Sequence, residues 1–422
     1  MSNLIKSQIK NKLNKLNNDF YKNSKFPLSV VQYDHNDIYN SLNTLLKGWP
    51  TIGEEVSIVE KKIQKLLKIK NAIMLNSGGS ANFLILYLLK SPYAKKKDKL
   101  NDGDEVITPA VTWSTTVAPI IQNNLKPVLA DVNLSTYDIN FDSIKSAISK
   151  KTKAIMLVHP LGHVCDMKKI QNLCKKKNLL LIEDTCETIG AKYNNKFAGT
   201  FGNFSSISFY QSHHISAVEG GMILTKDDYY ADILRSMRAN GWLREVRNKK
   251  TKNLFINKYK KINDSFMFPY IGFNFKPTDF SAALVSKQID RLNKYIKIRE
   301  ITAKKILKYL KKYEKYFYLP KFVKGIKNSW FTFPIVIKKN NSFTKDEFTK
   351  YLSDNNIANR PIIAGNIAEQ PFMKDFPHKK MALKNSKNVM ESGFFIGLHH
   401  KFNEKKIRQL INILDKFLKR FD

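Results

Sequence analysis

The chain has 422 residues, 43% of them hydrophobic, which is enough to bury the cores of two domains. It carries 72 lysines and arginines against 36 acidic residues, a formal net charge of +36. Because the lysines are spread along the chain and accompany no nucleic-acid motif, we interpret the excess as compositional bias and not as a nucleic-acid interface, although a basic surface would attract an anionic substrate.

Cysteine usage and hydropathy indicate the compartment. The three cysteines, Cys165, Cys174 and Cys186, include no pair at metal-ligand spacing. This usage predicts a reducing compartment, no disulfide framework and no bound metal or iron–sulfur cluster. The sequence shows neither a segment of signal-peptide type nor a run of 18 apolar residues. We therefore expect a cytoplasmic protein without membrane contact.

The first predicted element is a lysine-rich helix with an apolar stripe over residues 3–24, which we assign to an N-terminal extension of residues 1–28. A second amphipathic helix follows over residues 51–69. Strands and helices then alternate through a large domain placed at residues 29–278. This pattern is typical of an α/β fold with a mostly parallel sheet covered by helices on both faces. The predicted strands are 72–75, 105–108, 127–130, 154–158 and 179–182.

Residues at the carboxyl ends of these strands carry candidate chemistry, because open α/β sheets bind their ligands there. After the first strand, Gly79 and Ser80 lie in a turn that enters an apolar helix, a geometry that can bind phosphate but is also common without a ligand. Trp113 could stack on an aromatic ligand or belong to the core. Asp184 could contact a ligand or cap a helix.

Residues 208–221 combine a short apolar strand with His213, His214 and a turn that ends in two glycines. An imidazole can move protons near neutral pH, but the pair could also be loop histidines beside a strand. Residues 245–265 predict a flexible connection. A long helix over 279–313 and further strands and helices to the end predict a smaller C-terminal α/β domain within residues 279–422.

The segment 208–221 resembles the active-site segment of the sugar-nucleotide aminotransferases, which use pyridoxal 5′-phosphate (PLP) and have the aspartate aminotransferase fold. In that family a lysine lies five residues after the serine and six before the glutamate, and holds PLP as a Schiff base. Counting from Ser208 and from Glu219 leads to the same position here, His213. The resemblance covers about residues 30–420 and is to the branch of sugar 3-dehydratases, in which histidine replaces the lysine.

The resemblance implies a role for each candidate residue. His213 would be the catalytic base, and PLP would bind noncovalently and be converted into pyridoxamine 5′-phosphate (PMP). Contacts to the ring are implied for Trp113 over its face, Asp184 at its protonated nitrogen and Glu187 near its phenol oxygen. Contacts to the cofactor phosphate are implied for Gly79, Ser80, Ser208 and, from the neighbouring subunit of a homodimer, Asn274. Contacts to the nucleotide-diphosphate sugar are implied for His214, Trp242, Arg244 and Arg360.

The reaction implied is removal of the 3-hydroxyl group from a nucleotide-linked 4-keto-6-deoxyhexose, with GDP-4-keto-6-deoxymannose as the favoured substrate and L-glutamate as amino donor. The product would be a 4-keto-3,6-dideoxy sugar for O-antigen or lipopolysaccharide biosynthesis. Three alternatives stay open: a 4-aminotransferase, a nonenzymatic descendant, and a dehydratase of CDP-4-keto-6-deoxyglucose. The last needs an iron–sulfur cluster whose cysteines should fall at about residues 240–265, and this sequence has none there.

Overall fold

The computed structural model describes residues 2–20, 25–339 and 342–421. Its helices are α1 Ser2–Phe20, α2 His35–Leu46, α3 Glu54–Leu67, α4 Gly78–Lys90, α5 Ser114–Gln122, α6 Phe141–Ala147, α7 Met167–Lys177, α8 Asp228–Met237, α9 Lys249–Lys258, α10 Asp279–Leu310, α11 Lys345–Asp354, α12 Lys384–Ser392 and α13 Glu404–Leu418. Its strands are β1 Asn71–Leu75, β2 Glu105–Pro109, β3 Lys126–Ala130, β4 Thr152–Val158, β5 Leu180–Asp184, β6 Lys192–Tyr193, β7 Lys196–Phe197, β8 Phe204–Ser208, β9 Gly221–Thr225, β10 Phe317–Tyr318, β11 Ile326–Lys327, β12 Thr332–Ile337, β13 Asn359–Pro361, β14 Lys379–Lys380 and β15 Gly393–Gly397.

A large sheet organises the first domain, with strand order β1-β9-β8-β5-β4-β2-β3-β14. All neighbours from β8 to β14 run parallel, and β9 lies antiparallel to both β1 and β8. The prediction of a mostly parallel sheet is therefore confirmed. In register, Asp184 at the end of β5 lies opposite Val158 of β4 and Ser206 of β8. The carboxyl ends of these three strands thus meet at one edge of the sheet.

Helices cover both faces of the sheet because side chains alternate along each strand. In β1, Ile73 packs into the core beneath α4 and α8, whereas Met74 packs into the core beneath α3 and α10. All five β1 residues are buried, as expected for a strand covered on both faces. The two helical layers thus enclose the sheet, whose carboxyl edge carries the candidate residues.

Helix α10 connects the two domains over 32 residues. Thr278 caps its first turn, and the Asp279 carboxylate accepts hydrogen bonds from the Glu55 and Val56 amides, at 3.3 and 2.9 Å, at the start of α3. Its second half packs into the aromatic core of the smaller domain. That domain contains the antiparallel sheet β10-β12-β15-β13 with α11 and α13. Consequently α10 sets the position of one domain relative to the other.

Three segments differ from the arrangement expected from sequence. Phe26, placed in the N-terminal extension, pairs its backbone with Asn356 and Ala358 of the smaller domain. Strand β14, placed in the C-terminal domain, extends the large sheet beside β3. The prediction of a flexible connection at residues 245–265 is wrong, because Asn248 caps α9 by accepting hydrogen bonds from two amides of its first turn. Residues 21–24 of the predicted first helix lie outside the described residues.

Helices of the described part of the chain include none that is long and apolar enough to cross a membrane.

Candidate active site

Asp184 lies at the base of the cleft at the carboxyl end of β5 and is 4% exposed. Its Oδ2 accepts hydrogen bonds from Asn82 Nδ2 at 2.8 Å and Thr116 Oγ1 at 2.9 Å, and its Oδ1 accepts one from the Cys186 amide at 3.1 Å. Among the described residues no cationic side chain pairs with it. A buried carboxylate held only by neutral donors is costly, so this site favours a ligand that brings a positively charged donor.

The glycine turn at the start of α4 packs against Ser208 and Thr115. Ser77 caps α4 by accepting a hydrogen bond from the Ser80 amide at 3.0 Å, and the remaining first-turn amides of the helix have no intrahelical acceptor. A Cβ atom at Gly78 would lie 2.8 Å from Ser208 Cβ, and one at Gly79 would lie 3.2 Å from Thr115 Cγ2. The structure therefore brings Gly79, Ser80 and Ser208 together around a helix start that can bind an anion.

His213 lies in the loop between β8 and β9, and its amide donates to the Tyr210 carbonyl at 3.0 Å. Its ring lies between the rings of Tyr210 and Phe331, with centroid distances of 6.0 and 5.2 Å. Nδ1 is enclosed without a hydrogen-bond partner among the described residues, whereas Nε2 is not enclosed in this way. Burial lowers the pKa of His213 to about 4, so the imidazole is neutral at pH 7 and Nε2 is able to accept a proton.

Glu187 follows Asp184 by three residues, and its Oε2 accepts a hydrogen bond from the Leu161 amide at 2.9 Å. Burial raises the pKa of Glu187 to about 7, the nearby Asp184 carboxylate raises it further, and the Leu161 amide opposes the shift. Its carboxyl group can therefore exchange a proton near neutral pH. His213 and Glu187 form a pair of titratable groups whose environments move their pKa values in opposite directions, a feature typical of acid–base sites.

Replacement of Glu187 by glutamine is expected to stabilise the protein at alkaline pH. The raised pKa means that the folded state binds more protons than the unfolded state between pH 4.5 and about 7, so stability falls as pH rises through this window. We expect the Tm of the glutamine variant to rise relative to the wild type between pH 5 and pH 8. The exposed Glu219→Gln variant is the control, and a pH-independent Tm difference for Glu187→Gln would contradict the assignment.

His214 is placed differently from the expectation of a substrate contact. It is 2% exposed, and its Nε2 donates to the Ser329 carbonyl at 3.0 Å. Burial, followed by the positive charge of Arg299, lowers the pKa of His214, so the ring stays neutral. In this position the ring of His214 joins the loop after β8 to Ser329 of the smaller domain.

Trp113 precedes α5 and is 57% exposed, so its ring does not belong to the core. It lies three residues before Thr116, the α5 side chain that bonds Asp184. This position leaves its face available to a planar ligand above Asp184.

Trp242 and Arg244 form a separate aromatic surface. The Arg244 guanidinium lies 4.8 Å from the centre of the Trp242 ring, which also stacks against Phe266 and Phe268. Trp242 Nε1 donates to the Ser265 carbonyl at 2.7 Å. Within this chain no described contact joins the surface to His213.

Asn274 and Arg360 are both exposed. Asn274 forms an isolated antiparallel bridge with Ala239, and the next carbonyl, that of Phe275, accepts the Asn76 amide beside the glycine turn. Arg360 lies on the edge strand β13 opposite Phe395, and no carboxylate pairs with it in the described ranges. Both side chains are thus free to meet a ligand or a second subunit.

Several functional neighbours were not predicted. Asn82 and Thr116 hold Asp184, and Leu161 holds Glu187. Asn82 could have been found, because it is a fully buried polar residue at the start of an otherwise apolar helix. Leu161 could not, since its contribution is a backbone amide in a left-handed conformation with φ of 54°.

A metal site has no support in the side chains. The described residues contain no group of three or more His, Cys, Asp or Glu side chains that could hold a metal ion. Cys165 and Cys174 are buried apart from the cleft, and Cys186 borders it next to Gly78.

The open α/β sheet, the glycine turn and the buried, cation-free carboxylate at a strand end define a PLP-dependent enzyme of the aminotransferase-like fold. The model of the DegT/DnrJ/EryC1/StrS aminotransferase family matches residues 32–415, and the chain belongs to this family.

Two related proteins and one solved structure are similar to the chain over most of its length. A GDP-4-keto-6-deoxy-D-mannose 3-dehydratase of Yersinia pseudotuberculosis is 33% identical over 93% of this chain and 98% of its own length. The lipopolysaccharide biosynthesis protein RfbH of Salmonella typhimurium is 31% identical over 88% of this chain and 87% of its own. A crystal structure of GDP-4-keto-6-deoxymannose-3-dehydratase with a trapped PLP-glutamate geminal diamine superposes with a TM-score of 0.83, at 31% identity over 92% of this chain and all of that chain.

Proposed function

We propose that the chain is a PLP-dependent 3-dehydratase that removes the 3-hydroxyl group from GDP-4-keto-6-deoxymannose, with L-glutamate as amino donor. The observation that carries the proposal is a neutral histidine, His213, in the loop after β8 where the aminotransferases of its family have lysine. An imidazole can transfer protons but cannot attach the cofactor covalently through an imine. The chemistry is therefore directed toward proton transfer.

The residues at the base of the cleft fit PLP. The Asp184 carboxylate has three neutral donors and no cation within the described part of the chain, so a protonated pyridine nitrogen would supply the missing charge. The glycine turn packs closely on Ser208, since a Cβ at Gly78 would lie 2.8 Å from Ser208 Cβ, and the α4 amides without an intrahelical acceptor at this helix start could bind a phosphate beside Ser80 and Ser208. When bound, PLP or PMP supplies an electron sink next to the sugar's 4-keto group.

We assign proton transfer and cofactor binding to different residues of the chain. His213 Nε2 is the nitrogen that can accept a proton, since Nδ1 is enclosed. With the cofactor bound, Asp184 would keep the ring nitrogen protonated and Trp113 would cover the ring face. Glu187, with a pKa of about 7, can hold or release a proton near the ring's phenol oxygen at neutral pH.

For the nucleotide sugar we propose Trp242, Arg244 and Arg360. Arg244 and Trp242 offer a flat, cationic surface suited to a base or a diphosphate, and Arg360 is exposed without a carboxylate partner among the described residues. Within the described part of one chain, no contact joins any of the three to His213. A homodimer would bring these surfaces to a shared site.

The homodimer is supported by the distribution of apolar surface. Twelve large apolar side chains of the described residues are at least 49% exposed, and five of them lie in the short stretch before Asn274, namely Leu254, Ile262, Phe266, Phe268 and Ile271. Apolar patches of this kind mark interfaces more often than free surface. We propose that the second subunit covers them and that Asn274 reaches the partner's cofactor phosphate. Light scattering of the purified chain measures the mass, and a monomer with full activity would contradict this proposal.

We further propose that the protein is cytoplasmic and supplies a dideoxy sugar for lipopolysaccharide synthesis. The similarity to the lipopolysaccharide protein RfbH supports the second statement.

The test of function is incubation with PLP, L-glutamate and GDP-4-keto-6-deoxymannose. We expect release of ammonia and a GDP-linked 4-keto-3,6-dideoxy sugar, detected by mass spectrometry. A 4-amino sugar that retains its 3-hydroxyl group would instead identify an aminotransferase. Borohydride treatment in the presence of PLP is the companion measurement: no pyridoxyl group should become attached to a lysine of the wild-type protein.

A further inference from the structure

The ring of His213 is oriented without a hydrogen bond to its second nitrogen. Histidine bases are generally fixed by such a bond, but Nδ1 of His213 is buried with no partner. Among the described residues, the aromatic rings that contact the His213 ring are those of Tyr210 and Phe331. Phe331 makes the shorter ring contact, with centroids 5.2 Å apart. Its phenyl ring therefore limits where Nε2 can point.

Phe331 ends a backbone turn, residues 329–331, that is unusually constrained. The Ser329 amide donates to the Gly162 carbonyl at 2.9 Å, and the Phe331 amide donates to the Leu161 carbonyl at 3.0 Å. Trp330 adopts a left-handed conformation with φ of 53°, which is uncommon for a bulky residue. A Cβ at Gly162 would lie 2.4 Å from the Trp330 amide nitrogen, so this close approach requires glycine.

Arg299 of α10 holds the same turn from below. It is 1% exposed and donates to the carbonyls of Phe331 at 2.8 Å, Trp330 at 3.3 Å and Leu398. Among the described residues no carboxylate pairs with it, and burial lowers its pKa to about 9. A buried charge balanced only by carbonyl dipoles is expensive, and an apolar side chain would pack at lower cost. The function of the guanidinium in this site is therefore to hold the carbonyls to which it donates.

From these contacts we propose that the 329–331 turn orients the His213 ring through Phe331, and that Arg299 and His214 are positioning residues that hold the turn. His214 contributes by donating to the Ser329 carbonyl at 3.0 Å. The turn is also connected to Glu187 through Leu161. The Leu161 carbonyl accepts the Phe331 amide, and the Leu161 amide donates to Glu187 at 2.9 Å. One turn of the smaller domain therefore sets both titratable groups. The inference rests on the proposed function only for the role of His213 as base.

Phe331→Ala tests the turn in the full-length protein. We expect kcat for 3-hydroxyl removal to fall at least tenfold with KM for the nucleotide sugar within twofold, because substrate binding surfaces are untouched while the base is misaligned. In the protein without added cofactor, NMR of 13C-labelled histidine should show the His213 signal broadened or split, since the ring gains rotamers. His213→Asn assigns that signal.

Two further variants separate positioning from general damage. Phe331→Tyr keeps the aromatic ring and should restore both kcat and the single His213 signal. Phe376→Ala removes a phenyl ring that is 45% exposed outside the cleft and should change neither. Arg299→Met should reproduce the Phe331→Ala pattern, with partial recovery in Arg299→Lys, which keeps the charge but not the planar donors.

An unchanged His213 signal in Phe331→Ala would overturn the proposal. So would a broadened signal accompanied by wild-type kcat, because a base that moves freely yet works normally needs no positioning. If the wild type shows no dehydratase activity, the proposed function fails by itself, and the NMR comparison still decides whether the turn holds the ring.

Discussion

His213→Asn is expected to lower kcat for 3-hydroxyl removal by about a thousandfold, while PLP still binds. The asparagine side chain is smaller than that of histidine and has no basic nitrogen at neutral pH. General-base catalysis accelerates a reaction by roughly 10²–10⁴-fold, which sets the size of the expected loss. Cofactor binding should persist, because Asp184, Ser80 and Ser208 do not depend on the ring. The measurements are ammonia release for the rate and the PLP absorption spectrum for binding.

The control for this variant is His378→Asn, which makes the same change at a histidine outside the cleft. Retention of more than a tenth of wild-type kcat in His213→Asn would exclude His213 as the base. His213→Lys adds a positional test that does not depend on turnover. After borohydride reduction with PLP, we expect the pyridoxyl group on the peptide that contains residue 213 and on no other peptide.

Much of the large domain follows from sequence, and the reason is local. The five predicted strands of the first 182 residues are present within about two residues, because apolar runs bounded by turns define buried strands without knowledge of their partners. The positions of Asp184 and the glycine turn follow from the same reasoning, since both lie where a strand ends. The long helix also appears, as α10, because its apolar positions recur over 32 residues.

What escaped prediction depends on contacts between distant parts of the chain. In the sequence Arg299 is indistinguishable from other charged residues of a helix. Its hydrogen bonds to the carbonyls of Phe331 and Leu398 form only in the folded protein. The burial of His214 likewise requires the smaller domain to pack against the loop after β8. For α9 the sequence does contain a helix-start signal, because Asn248 is a good N-cap. The lysine-rich stretch that follows lacks a clear apolar face, and for that reason a helix was not predicted there.

Asp184→Asn is expected to lower kcat at least a hundredfold and to weaken PLP binding. The two carboxylate oxygens accept from Asn82, Thr116 and the Cys186 amide. An amide group offers one oxygen, so its NH₂ must face a donor on one side, and it can no longer balance a protonated pyridine nitrogen. The loss should therefore appear in the electron sink and in affinity for the cofactor, measured by kcat and by titration of PLP absorbance.

Asp131→Asn is the matched control for this loss, because it makes the same substitution at another buried aspartate that follows a strand of the same sheet. Within the described ranges, the Asp131 carboxylate accepts hydrogen bonds from Ser386 and the Asn385 amide of α12 and from no residue of the glycine turn. Both variants should lose stability through an unpaired donor, of about 1–3 kcal/mol. Only Asp184→Asn should lose PLP affinity. Equal PLP affinity and kcat in the two variants would mean that the Asp184 carboxylate supports the sheet edge and not the cofactor.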